Sequence, residues 1–288
     1  MKQRAFAVAL DFALRGAAGL LLASPVVAAV ASTGITRFPE GDRLLFEPGG
    51  LMLVEVARAL WSAVVPLVQA ELVMGLVLAV GLVVPYAVLL VAFSRRVPAT
   101  ASELVGRAVT RVPPLVALQG LTLLAQSAAL LAVATLAAGL REAFVGATSR
   151  RADLVFLALL GLGGLLVLGL GALRDLSSAA CVEETLGSPA ALRRGCAALV
   201  RAPGAVLAGF GAAGLATGAL IAAGALVTGA LDVGRPGAFR VVLVLVLHQA
   251  VLLGRSVCRA WWLRRALGLV ERDLSLTLTN GPAEAAGG

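Results

Sequence analysis

Residues 181–196 read CVEETLGSPAALRRGC. Two thiols, two adjacent carboxylates and two guanidiniums fall within one short turn and helix, the residue types that bind metals or act as nucleophiles. Their spacing argues against both uses. The chain has 3 cysteines and 1 histidine, and it contains no C-x-x-C, so the ligand sets of zinc sites are missing. No metal and no cofactor are expected. Cys181, Cys196 and Cys258 are expected to remain free thiols that pack as small apolar residues. Asp175, Glu183 and Glu184 form an acidic group that could hold a cation. Their ordinary role would be to balance Arg174, Arg193 and Arg194.

A second set of polar residues interrupts long apolar runs. Gln119, Thr122 and Gln126 recur at i, i+3, i+7, with Ser127 beside them. His248, Gln249, Arg255 and Ser256 interrupt another run near the C-terminus, and His248, seven residues before Arg255, shares a face with it. Polar groups inside a membrane are the first places to look for function. Gln119, Gln126, His248 and Gln249 are the candidate intramembrane site. They serve either as hydrogen-bonding glue between helices or as a small polar pathway for a proton, ion or headgroup. Enzymatic signatures are lacking. There is no GxSxG, no phosphate loop and no pair of intramembrane acids, and the histidine has no carboxylate at helical spacing on its own run. The expectation is that the chain is not an enzyme.

The elements that carry these residues follow from composition. Of 288 residues, 60% are hydrophobic and 14% charged, with a mean hydropathy of +0.97, against about 25% charged in soluble domains. Six apolar stretches, at about 14–34, 72–93, 114–138, 154–173, 204–230 and 241–262, reach the roughly 20 residues that a membrane helix needs. Strands with open edges cannot survive in hydrocarbon, and the runs lack barrel alternation. The fold class expected is therefore all-α, a polytopic membrane bundle of about six transmembrane helices. Residues 1–270 would form one domain and 271–288 a short cytoplasmic tail without structure. Sixteen of the 24 Lys and Arg lie on one side of these spans, whereas the acids divide evenly. The positive-inside rule then places both termini in the cytoplasm. The same rule accounts for the net charge of +8 without nucleic acid as a partner. A single lysine among these cations, with abundant Ala, Gly, Leu and Val, reads as GC-rich bacterial coding, hence a bacterial cytoplasmic (inner) membrane.

The first helix also has the look of a secretory leader, with Lys2 and Arg4 before an apolar run and Ala29-Val30-Ala31 after it. Asp11 and Arg15 lengthen the basic region beyond the usual, and an uncleaved helix is expected. Three interfacial amphipathic helices are expected as well, at about 51–65, 100–112 and 189–201. The first carries Glu55, Arg58 and Trp61 and ends at Pro66. It would lie on the outer leaflet after the breaker Pro48-Gly49-Gly50; a seventh span is the alternative. The other two form a repeated elbow, offset by 90 residues and ending in Arg111-Val112-Pro113 and Arg201-Ala202-Pro203. In the first elbow Thr100 and Glu103 make a capping box, with Val105, Val109 and Val112 on one face. In the second, Ser188 is the expected N-cap and Pro189 opens the helix, with Leu192, Cys196, Leu199 and Val200 on the apolar face. Arg107, Arg111, Arg193, Arg194 and Arg201 are the candidate headgroup-facing residues, each worth about 1 kcal/mol beside anionic lipid. Glycines in the fourth and fifth spans, including Gly214-x-x-x-Gly218, favour a tight pair of these helices or a dimer. Pro25 and Pro85 are expected to kink spans one and two.

The segment VEETLGSPAALRRGCAALVRAP between spans four and five resembles the bacterial YciC-like proteins and the membrane domain of some glycerophosphodiester phosphodiesterases. Glu183 or Glu184, Ala191-Leu192 and Arg194 occupy the family's pattern, and Gly195 stands where a small polar residue is usual. The resemblance implies a multi-pass membrane module and carries over no phosphodiesterase activity, which belongs to a soluble domain that this chain lacks. The function expected is a non-enzymatic scaffold or accessory subunit. Its partners would be the bilayer, including anionic lipids, and another membrane protein or a second copy of itself. A small transporter or channel using the polar stripes of spans three and six is the alternative.

Overall fold

The computed structural model describes residues 2–32, 51–95, 100–143, 149–230 and 238–280. The expected breaker at Pro48-Gly49-Gly50, the side chain of Glu55 and the extreme C-terminus lie outside the described residues. Every described element is a helix: α1 (Lys2–Ser32), α2 (Leu51–Gly81), α3 (Val83–Phe93), α4 (Ala101–Ala143), α5 (Ser149–Glu183), α6 (Ser188–Arg201), α7 (Pro203–Ala230) and α8 (Ala238–Asn280). Among the described residues, six stretches are long and apolar enough to cross a bilayer: Lys2–Ser32, Ala63–Phe93, Ala101–Leu140, Asp153–Glu183, Pro203–Ala230 and Val242–Arg272. The chain is an all-α polytopic bundle, as its composition requires. In hydrocarbon a backbone must satisfy its own polar groups, and helices do so within each segment.

Two of the expected interfacial helices are not separate elements. Residues 51–65 belong to α2, which runs through Pro66 to Gly81. The interruption comes instead at Leu82, between α2 and α3. There Pro85 lacks the N–H that would bond the carbonyl four residues earlier, and its ring crowds that carbonyl. Residues 101–112 likewise belong to α4, which Thr100 precedes and which continues through Pro113 and Pro114. Buried Leu104, Ala108, Leu115 and Leu118 keep one helical phase across both prolines, so packing holds the helix as one piece. Pro25 also sits inside an unbroken α1. The third expected helix, α6, is a separate element. It ends where Ala202 leaves the helical region (φ −134, ψ 53), as a residue preceding proline tends to do. At its other end α8 continues to Asn280, well into the stretch expected as a tail.

The chain forms two compact units. The first holds residues 1–86 and 213–260, and the second residues 87–212 and 261–288. In the first, α1 packs on α2. In the second, α5 packs on both α4 and α6, and the buried side chains concentrate toward the α5–α6 turn, among them Leu89, Leu90, Leu104, Leu176, Leu263 and Val270. The outward stretches of α4 and α5 expose Leu124, Leu131, Leu157 and Leu165, the surface that a lipid environment covers.

The α5–α6 turn is tight. Thr185 takes a positive φ of 57, a conformation that a β-branched residue rarely adopts. Helix α6 then lies on α5 through its smallest residues, with Ala191, Gly195 and Ala198 buried. A Cβ on Gly195 would overlap Ser177 Oγ and come within 2.8 Å of the Ser177 backbone nitrogen. Leu192, Cys196, Leu199 and Val200 mark the apolar face expected of an interfacial helix, and of these Cys196 and Val200 are exposed. The side packed on α5 is a different one, the Ala191/Gly195/Ala198 stripe, because close approach of two backbones needs small side chains. Ser188 is not the N-cap. Gly187 holds that position without a side-chain bond, and the Ser188 hydroxyl donates to the Pro114 carbonyl at 3.2 Å, tying α6 to α4.

Candidate functional site

The polar residues of the second unit converge on Asp175. Its side chain is fully buried, two residues before the packed Ser177 on α5. Oδ1 accepts from Arg174 Nη2 at 2.8 Å and Nε at 3.1 Å, and Oδ2 accepts from the Trp262 indole N–H at 2.8 Å. Residues one apart on a helix do not share a face, so the Arg174 side chain must turn back to reach its neighbour. Its remaining arm donates to Gln119 Oε1 at 2.8 Å. Trp262 in turn meets the Phe210 ring edge-on, with centroids 5.3 Å apart at 79°. One chain of contacts thus joins α4, α5, α7 and α8. Gln126 makes a second α4–α5 tie, donating from Nε2 to the Val167 carbonyl at 3.0 Å.

The first unit has a smaller counterpart. Asp11 is fully buried. Arg15 Nε lies 2.9 Å from both of its oxygens, and the Ser256 hydroxyl donates to Oδ2 at 2.8 Å. The Arg259 guanidinium stacks over Tyr86 with its carbon 5.2 Å from the ring centroid. Glu71 differs from both aspartates. Its Oε1 is enclosed and has no hydrogen-bond partner among the described residues.

Of the four expected intramembrane residues, Gln119 and Gln126 sit in the second unit, each spending its amide on an α5 group. His248 and Gln249 belong to the first unit and are exposed on α8. The acids read together at the end of α5 do not share a site. Asp175 has the partners above, Glu183 Oε1 accepts from the Arg95 backbone N–H at 3.0 Å, and Glu184 Oε1 accepts from Arg194 Nε at 3.0 Å. Arg95 also pairs with Glu271. Among the described residues no cluster of three His, Cys, Asp or Glu could hold a metal ion. Cys181 is buried with its thiol 3.3 Å from the Leu186 carbonyl, Cys196 is exposed and Cys258 half-buried, all three free.

The expected headgroup-facing arginines divide. Arg107 pairs with Glu103 at 2.5 Å in the first turns of α4, where Thr100 Oγ1 accepts from the Glu103 N–H at 3.2 Å as a capping residue should. Arg194 is held by Glu184 and Arg111 is half-buried, while Arg193 and Arg201 are exposed. The glycines divide as well. Gly163 backs onto Val133, Gly171 onto Phe210 and Gly209 onto Trp262 and Arg265, whereas Gly214 and Gly218 have no atom close enough to meet a Cβ. The G-x-x-x-G pair is therefore not a contact within the described chain. Asp11, Glu71 and Trp262 were missed in the sequence as site residues. A buried carboxylate near a helix start looks like leader charge, and the indole partner lies 87 residues from Asp175. Comparisons with family models, with curated proteins and with solved structures return no match.

Proposed function

We propose that this multi-pass protein is a non-enzymatic scaffold or accessory subunit of a bacterial cytoplasmic membrane, with both termini inside. The observation that carries the reading is how the polar groups of the spans are used. Asp175, Arg174, Gln119 and Trp262 satisfy one another, as do Asp11, Arg15 and Ser256, and Gln126 is spent on a backbone carbonyl. Groups committed in this way brace helices. Groups that pass a substrate along must exchange partners. The burial of Asp11 supports an α1 that stays part of the mature protein. The resemblance of the α5–α6 segment to YciC-like modules fits the same reading, with exposed Arg193 and Arg201 turned to anionic lipid at the inner leaflet.

Co-purification in a mild detergent tests it. A stable membrane-protein partner or a homo-oligomer is the expected result, and a monodisperse monomer without partner would overturn the scaffold role. Aqueous labelling separates the transporter alternative. In a background without native cysteines, Gln126→Cys is expected to resist a membrane-impermeant thiol reagent, and rapid labelling would favour a water-filled path.

A further inference from the structure

A cleft of about 380 Å³ opens between the first turn of α7 and residues 261–272 of α8, wholly within the second unit. Its lining includes Ala205, Trp261, Arg264, Arg265, Gly268 and Arg272. Three guanidiniums face one opening, and the lining holds no carboxylate among the described residues. Arg264 is exposed and makes no hydrogen bond or ion pair with any described residue. Arg265 is positioned by its stem: a Cβ on Gly209 would come within 2.9 Å of the Arg265 Cδ, so the absent side chain makes the groove in which that stem lies. Its guanidinium carbon sits 5.9 Å from the Trp261 ring centroid. The small residues Ala205 and Gly268 leave the space between the cations open.

Arg264 and Arg265 are like charges beside one cleft, and such charges repel one another unless an anion joins them. A guanidinium presents a planar fork of donors that matches phosphate oxygens two at a time. The exposed indole of Trp261 suits the headgroup level of a bilayer, where aromatic side chains collect. The stretch also closes the apolar segment Val242–Arg272, so the cleft lies where hydrocarbon gives way to headgroups. We propose that this cleft binds a phosphoryl anion, carried by an anionic phospholipid headgroup or by a soluble phosphate compound. The proposal rests on the membrane reading above and is independent of whether the chain has a protein partner. It is also distinct from the elbow arginines, which lie on α4 and α6.

The test uses the full chain purified in mild detergent. Native mass spectrometry reads retained phosphatidylglycerol against phosphatidylcholine, and a parallel arm adds inorganic phosphate. Wild type is expected to retain the anionic lipid about tenfold better, and R264Q/R265Q to lose most of that preference. R264Q alone, which removes no described contact, should lose part of it, so the result does not depend on how the double variant folds. K2Q, an exposed cation of the first unit outside the cleft, should stay within roughly twofold of wild type. Displacement of the lipid by inorganic phosphate in wild type but not in R264Q/R265Q would assign the soluble source. Wild-type lipid retention and phosphate response in both cleft variants would overturn the site, even if a protein partner co-purified.

Discussion

Asp175 and Asp11 are both fully buried in apolar helices, and both accept from an arginine of their own helix and from a donor on α8. They differ in reach. Arg15 stands four residues from Asp11, the natural spacing for a helical pair, and among the described residues the cluster joins α1 and α8 alone. Arg174 adjoins Asp175 directly, and its free arm continues to Gln119, so that cluster joins α4, α5 and α8 and, through Trp262, abuts Phe210 of α7. A carboxylate enclosed away from water needs its donors whatever else it does. Where the donors come from several helices, the same requirement fastens those helices to one another. Glu71, with one oxygen left without a partner among the described residues, fastens none of the described helices.

Substitutions that remove each carboxylate should separate these cases. Asp175→Leu is expected to have the largest effect, a loss of about 3–5 kcal/mol, since it leaves Arg174 uncompensated and the indole without an acceptor. Asp11→Leu should cost less, about 1.5–3 kcal/mol, because fewer helices depend on it. Gly195→Ala should follow at about 1–3 kcal/mol, as the new methyl meets the Ser177 backbone rather than a flexible side-chain end. Glu71→Leu should go the other way and stabilise by about 1 kcal/mol, removing a polar group that nothing satisfies. Unfolding in mixed micelles would measure all four. Equal losses for Asp175→Leu and Asp11→Leu would erase the distinction between the two clusters, and destabilisation by Glu71→Leu would show that its carboxyl has a use.

The helical class and the six apolar segments were legible because membrane helices are written in long local runs, where composition suffices. The capping role of Thr100 was legible for the same reason, being complete within four residues. The two elbows show where local reading stops. Arg111-Val112-Pro113 and Arg201-Ala202-Pro203 look alike, yet α4 passes through its prolines and the second elbow breaks into α6 and α7. The difference lies in distant partners: Leu104 and Leu118 share one core across the first proline pair, whereas α6 is held separately by Ser177 and by the Pro114 carbonyl. Periodicity marks the apolar face of α6 through Leu192 and Val200 and is silent on the face that packs against α5, where Gly195 sits. A neighbouring backbone favours the smaller residue. Asp175 was visible as one of three acids, but not as the one that turns away from the other two toward Trp262.

The central claim is that the intramembrane polar groups brace helices, and a double-mutant cycle on Asp175 and Trp262 tests it most directly. Trp262→Phe keeps a large ring and removes the donor. The account predicts that unfolding of Asp175→Leu, Trp262→Phe and the double variant will give a coupling energy above about 1 kcal/mol. Additivity within about 0.5 kcal/mol would contradict it.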